Sequence, residues 1–143
     1  MPGRIVPVSG GKDSTFQTLT IKEMGFNPLC VTFEPTHPTE LGKRNLANLR
    51  KLGVDLISIE KNPDVYIKLC WEGFTKVGDH DWPNHVGIFT APVRVAVNYK
   101  VPLIIWGENP QLEYGGPASA YAFGVSLYRL AVPVVVAVGF AVG

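Results

Sequence analysis

Six consecutive residues, Ser9-Gly10-Gly11-Lys12-Asp13-Ser14, combine the side chains and the order that could do chemistry in this chain. Paired glycines let backbone N–H groups come close to an anion. A helix starting directly after them adds unpaired N–H donors and the positive end of its dipole, which makes phosphate the natural ligand. Lys12 places a cation where charge would develop. The spacing is neither GxxxxGK[ST] nor GxGxxG, so the turn is not a Walker loop or a dinucleotide fingerprint. A plain turn with a capped helix would need the glycines and Asp13, but gives no reason for Lys12 between two flanking serines.

Such a turn works only if a strand delivers it and a helix leaves it. Arg4 to Val8 is short, apolar and β-branched, and predicts a buried strand, although Pro7 is unusual in a central one. From Asp13 to Met24, Phe16, Leu19, Ile21 and Met24 give a helical pattern closed by Gly25. The pair then recurs. Leu29 to Phe33 reads as a strand and Leu41 to Leu52 as a helix with Leu46, Leu49 and Leu52 on one side. Asp55 to Ile59 reads as the third strand. Asn62, Pro63 and Asp64 supply a cap, a first-turn proline and an acid for a helix continuing through Val77. After a polar connection, Gly78 to Asn84, an apolar segment runs from Val86 to Tyr99, in which Pro92 either kinks one helix or starts it after Thr90. Leu103 to Trp106 is a fourth strand. This alternation predicts an α/β fold, a parallel sheet sandwiched by helices. Ligands of such sheets bind beyond the carboxyl ends of the strands. The polar segments Ser9 to Ser14, Glu34 to Glu40 and Gly107 to Gly116 should therefore converge on one rim.

With 143 residues, 46% of them hydrophobic and 17% charged, the chain suits one compact domain with a sizeable core. A net charge of +1 offers no basic stripe, so nucleic acid is not an expected partner. Cys30 and Cys70 fit neither a disulfide framework nor a CxxC metal pair, and both are expected in the core. The start of the chain, MPGRIVPVSGG, has no secretory pattern, so the expected location is cytoplasmic. Composition changes after Gly116. Residues 117–143 hold a single charge, Arg129, and end in LAVPVVVAVGFAVG. That run is shorter than the ~20 residues a membrane-spanning helix needs. It is expected to be a buried strand, or a tail that drives association into a homo-oligomer if uncovered. The organisation expected is a phosphate-binding domain over residues 1–116 and an apolar tail, truncated or foreign, over residues 117–143.

SGGKDS between a strand and a helix resembles the pyrophosphate loop (PP-loop) of the N-type ATP pyrophosphatases, whose fold is of the Rossmann-like adenine nucleotide α-hydrolase type. The resemblance implies ATP and Mg²⁺ as cofactors. Ser9, Gly10, Gly11, Lys12 and Ser14 would contact phosphate oxygens, and Asp13 would cap the helix or help to hold the metal. Further stretches narrow the likeness: Glu34 after the second strand, Asn45-Leu46-Ala47-Asn48-Leu49, the segment from Gly78 to Phe89, and the WGEN and EYGG elements between Trp106 and Gly116. Together they resemble the N-acetyl sugar amidotransferases of surface polysaccharide (lipopolysaccharide, O-antigen) biosynthesis, across residues 4 to about 118.

That family implies adenylation of the acetamido oxygen of a nucleotide-linked N-acetyl sugar, then displacement of AMP by ammonia to give an acetamidino group. Ammonia would come from a separate glutaminase and ammonia-channel pair, since neither cysteine here has a nucleophile's context. Lys12, Asp13, Glu108 and Asn109 are the catalytic candidates, and Glu108, Asn109, Glu113, Tyr114 and His85 the substrate-binding ones. Asp13 is the metal candidate. Asp79 and Asp81 could also bind magnesium, and His80, Asp81 and His85 could ligate a metal, but such a segment is more simply a polar loop. Lys43, Arg44 and Asn45 could meet phosphate or form a solvated helix end. His37 reads as a loop residue, and Tyr66, Trp71 and Phe74 as core. Two alternatives stand beside this reading: a tRNA-modifying adenylating enzyme with the same loop, and an ATP-binding fragment without turnover.

Overall fold

The computed structural model describes residues 3–107 and the strand Val135–Val138. Its elements run β1 (Ile5–Pro7), α1 (Lys12–Glu23), β2 (Leu29–Phe33), α2 (Glu40–Lys51), β3 (Asp55–Ile59), α3 (Pro63–Val77), α4 (Trp82–Tyr99), β4 (Leu103–Trp106) and β5 (Val135–Val138). The five strands form one sheet in the order β3-β2-β1-β4-β5, and every pair is parallel. This is the expected Rossmann-like α/β arrangement. Part of the apolar run near the end of the chain joins the sheet as β5, beside β4.

Alternation along the strands sorts the core into two layers. Ile5, Leu29, Val31, Ile104 and Trp106 face α4, where Val93, Val95 and Ala96 meet them. Val6, Val8 and Cys30 face the other way, onto Ile21 of α1 and Leu49 of α2. Helices thus cover both faces.

Three expectations about packing are corrected. Of its apolar residues α1 buries Ile21 but not Phe16 or Met24, which are 61% and 67% exposed, and Ser14, Gln17 and Thr18 are buried beside Ile21. Spacings of three and four put those four on one stripe, and Ser14 and Thr18 have local partners. Thr18 donates to the Ser14 carbonyl at 2.7 Å and Ser14 to the Gly11 carbonyl at 3.2 Å. Trp71 and Phe74 are likewise largely exposed, because α3 packs on α4 through Gly73 rather than on the sheet, and Cys70 is only partly buried. The polar connection before the fourth helix is shorter than expected. α4 begins at Trp82, with Pro83 in its first turn, and runs through the buried Pro92 as one helix.

Pro7 fits β1 for a geometric reason. Arg4 accepts from Leu29 N–H and Val8 N–H donates to Val31, both across to β2. Alternation then aims the position of the missing Pro7 N–H at β4, where pairing with β1 is recorded only at Ile5 and Ile104. The proline loses no ladder bond there.

Candidate functional site

Strand order reverses between β1 and β4, and in open parallel sheets the ligand crevice lies outside the carboxyl ends of the strands at such a point. Here β1 runs out through Val8 into Ser9-Gly10-Gly11, and β4 runs out through Trp106 into Gly107. Gly10 adopts φ +81°, a left-handed turn, with Asn45 of α2 so close behind it that an added Cβ would lie 3.1 Å from the asparagine Cβ. Asn45 therefore backs the loop, which a solvated helix end would not do.

Gly11 is the N-cap of α1, and no side chain caps the helix. This corrects the expectation that Asp13 caps it; Asp13 lies in the first turn. The contrast with the next two helices is direct. Thr39 accepts from Gly42 N–H at the start of α2, and Asn62 from Asp64 and Val65 N–H at the start of α3. At α1 the first N–H groups are left without a side-chain acceptor, as a site for an anionic ligand requires.

A cavity of about 290 Å³ opens beside this turn. Ser9, Gly11, Asp13 and Ser14 line one side, with Trp106 and Gly107 adjacent. Lys12, the first residue of α1, is exposed and stands outside the lining. Gln17 ties α1 to the end of β4 by donating to the Trp106 carbonyl at 2.9 Å. Gly107 lies so close above it that a Cβ there would come within 2.9 Å of Gln17 Oε1.

The opposite wall is made by Phe33 at the end of β2 and by Asn84, Ile88 and Pro92, one face of α4. Phe33 is seated on Gly87, where a Cβ would fall 2.1 Å from the ring. Lys61 Nζ sits over the Phe33 ring at 4.2 Å and the Tyr66 ring at 4.5 Å, and donates to Asn84 Oδ1 at 3.0 Å. Asn84 Nδ2 donates to Asp81 Oδ2 at 3.4 Å, and Tyr66 O–H to Asp81 Oδ1 at 3.3 Å. Burial pulls the Lys61 ammonium below its ordinary range, against the opposing pull of Asp81. Burial and then Cys70 push the Tyr66 phenol well up, so it stays protonated and able to donate.

Among the remaining expected site residues, His85 stands next to Asn84 but turns its ring toward acids. Its Nδ1 is 3.5 Å from Asp79 and its Nε2 3.3 Å from Asp81, and it is not in the cavity lining. His80 is exposed. Among the described residues no group of three or more His, Cys, Asp or Glu is placed to hold a metal. Glu108, Asn109, Glu113 and Tyr114 lie outside the described residues. Sequence reasoning missed Phe33, Lys61, Asn84 and Gln17 as parts of this crevice. The signal for Asn84, Ile88 and Pro92 was their spacing of four, which becomes visible only when the helix is known to start before Asn84 and to pass through the proline.

No family model matches this chain, and no curated protein does. Among solved structures it is similar to a protein from Methanocaldococcus jannaschii described as a predicted subunit of tRNA methyltransferase. The TM-score is 0.65 at 14% identity, over 98% of this chain and 69% of that one. At that identity the likeness is one of fold. No helix among the described residues is long and apolar enough to cross a membrane.

Proposed function

We propose that this chain is an ATP-binding domain of the pyrophosphate-loop type, serving an amidotransferase that converts the acetamido group of a nucleotide-linked sugar into an acetamidino group. One observation supports it above the others: the SGGKDS turn leads into an uncapped helix at the strand-order reversal, and Ser9, Gly11, Asp13 and Ser14 line the cavity there.

In this reading the acetamido oxygen attacks the α-phosphorus of ATP and pyrophosphate leaves. Ammonia then adds to the activated carbon, and AMP departs with the former amide oxygen. The N–H groups of Gly11 and the first turn of α1, with Ser9, Gly10 and Ser14, would hold the departing pyrophosphate, and the exposed Lys12 would add its cation. Asp13 would be the chain's own ligand for Mg²⁺, an ion commonly held by one or two carboxylates together with substrate phosphates. Glu108, Asn109, Glu113 and Tyr114, beyond Gly107, and His85 remain candidates for orienting the acceptor. Ammonia would be supplied by a separate glutaminase.

A second reading, a tRNA-modifying adenylating enzyme, draws support from the description of the structural neighbour, while the net charge of +1 speaks against a broad RNA surface. Calorimetry with Mg²⁺-ATP on the wild type, Lys12→Ala and Asp13→Ala tests the shared step. Pyrophosphate release with a UDP-N-acetylhexosamine plus ammonium, or with tRNA, separates the two readings. Sugar-dependent release supports the first and tRNA-dependent release the second; absence of ATP binding by the wild type removes both.

A further inference from the structure

The cavity wall facing the phosphate loop holds a polar group that the loop does not need. Asn84, Ile88 and Pro92 lie on one face of α4, and Asn84 alone among them has a polar side chain. Its carboxamide is held from both ends, by Lys61 at Oδ1 and by Asp81 at Nδ2. Lys61 is itself clamped between Phe33 and Tyr66, with no carboxylate in ion-pair contact among the described residues.

A carboxamide has two N–H donors and an acceptor oxygen with two lone pairs. Two of these four valences are used, which leaves one N–H and one lone pair on a residue that lines the cavity. Contact between Oδ1 and an ammonium also polarises the amide and strengthens its remaining N–H as a donor. One turn along the same face, Pro92 has no N–H to give the Ile88 carbonyl, so that wall carries a further backbone acceptor without its helical partner.

We infer that Asn84 recognises a neutral planar donor–acceptor edge of a ligand, with Lys61 and Asp81 as the residues that position it. A charged group is not what this wall suits, because the Lys61 ammonium is spent on Asn84 and the two aromatic rings. Two sources supply such an edge, the adenine of ATP and the acetamido group of the acceptor, and the inference rests on the nucleotide-site reading above.

The experiment is calorimetry on the full chain with five probes: inorganic pyrophosphate, Mg²⁺-ATP, Mg²⁺-ITP, UDP-N-acetylglucosamine and UDP-glucose. Asn84→Asp keeps the oxygen that accepts from Lys61 and removes both N–H donors; Asn84→Ala removes the whole group. The neutral Asn84→Ala variant should bind pyrophosphate within twofold of wild type. Loss of about tenfold in ATP affinity, equivalent to about 1.4 kcal/mol, with collapse of the ATP over ITP preference assigns the edge to adenine. The same loss for UDP-N-acetylglucosamine, with collapse of its preference over UDP-glucose, assigns it to the acetamido group. Lys61→Met should reproduce the loss of selectivity in smaller measure, and Lys61→Arg should restore it.

Unchanged selectivity in both Asn84 variants overturns the inference and leaves the phosphate-loop reading standing. So does a loss in Asn84→Ala that falls equally on pyrophosphate, which would mean that Asn84 serves the fold. A wild type that binds neither pyrophosphate nor ATP removes the phosphate-loop reading, and this inference with it.

Discussion

α1 and α2 each have twelve residues and lie on the same face of the sheet, yet they are held there by different means. α2 is amphipathic, buries Leu46 and Leu49, and is capped by Thr39. α1 turns Phe16 and Met24 to solvent, buries Ser14, Gln17 and Thr18, and has no side-chain cap. A helix that satisfies its own terminus and packs by apolar contact is stabilised by its sequence. One that leaves its first N–H groups open and lays a polar stripe on the sheet is positioned at a cost, and such costs concentrate where a ligand is bound.

The largest effect that would break this contrast comes from the core. Leu49 is 1% exposed, so Leu49→Ala should cost about 2–5 kcal/mol in urea denaturation, whereas Phe16→Ala, at an exposed site, should stay within about 0.5 kcal/mol. Equal losses would mean that α1 contributes to the core through a contact its exposure does not suggest.

Cys30 lies beneath α1, its sulfur 3.8 Å from Thr18 Oγ1, and burial pushes its thiol from an ordinary 9.0 up to about 11. Below pH 9 the thiol is neutral in both states and the stability does not vary on its account. As pH rises from 9.0 to about 11, the unfolded thiol ionises while the folded one stays protonated, so stability falls by up to about 1.4 kcal/mol per pH unit. The raised Tyr66 phenol has the same sign at higher pH, so the relevant quantity is the difference between wild type and Cys30→Ala. That difference should grow through this window, and a flat one would show that α1 opens there and admits water.

Gly10 joins the two helices, since its left-handed turn abuts Asn45 of α2. Gly10→Ala should cost about 1–2 kcal/mol for the backbone conformation alone. It should also weaken pyrophosphate binding severalfold, which calorimetry on the folded variant would measure.

How far these features could be read in advance follows the same division. α2, with its leucines three apart, was legible from period alone, and so were β2, β3 and the parallel order, because apolar strands alternating with helices leave few alternatives. α1 was legible as a helix but not in its orientation. Its apolar residues suggested a buried face, and only the sheet geometry shows Gln17 reaching the Trp106 carbonyl. α3 misled in the same way: Trp71 and Phe74 have the spacing of a core stripe, but Gly73 is the residue that lets α3 approach α4. The SGGKDS turn between a strand and a helix was legible because its signal lies in consecutive residues. The facing wall was not, since Phe33, Lys61 and Asn84 come from three separate segments.

The smallest effect on stability gives the sharpest contrast in function. Thr39→Ala removes a real cap, from Gly42 N–H at 3.1 Å, and should cost about 1 kcal/mol without altering nucleotide binding. Asp13→Ala removes no cap, only a favourable charge near a helix N-terminus, and should cost about 0.5 kcal/mol. Its effect on binding should change sign with the metal. Without Mg²⁺ the Asp13 carboxylate repels a pyrophosphate in the turn, so Asp13→Ala should bind the free anion more tightly than wild type. If Asp13 holds Mg²⁺ as proposed, the same substitution should weaken binding about tenfold when the ion is present. Parallel titrations of inorganic pyrophosphate with EDTA and with excess Mg²⁺ would show the inversion. If Asp13→Ala weakens both equally, Asp13 supports the start of α1 and the metal is held elsewhere.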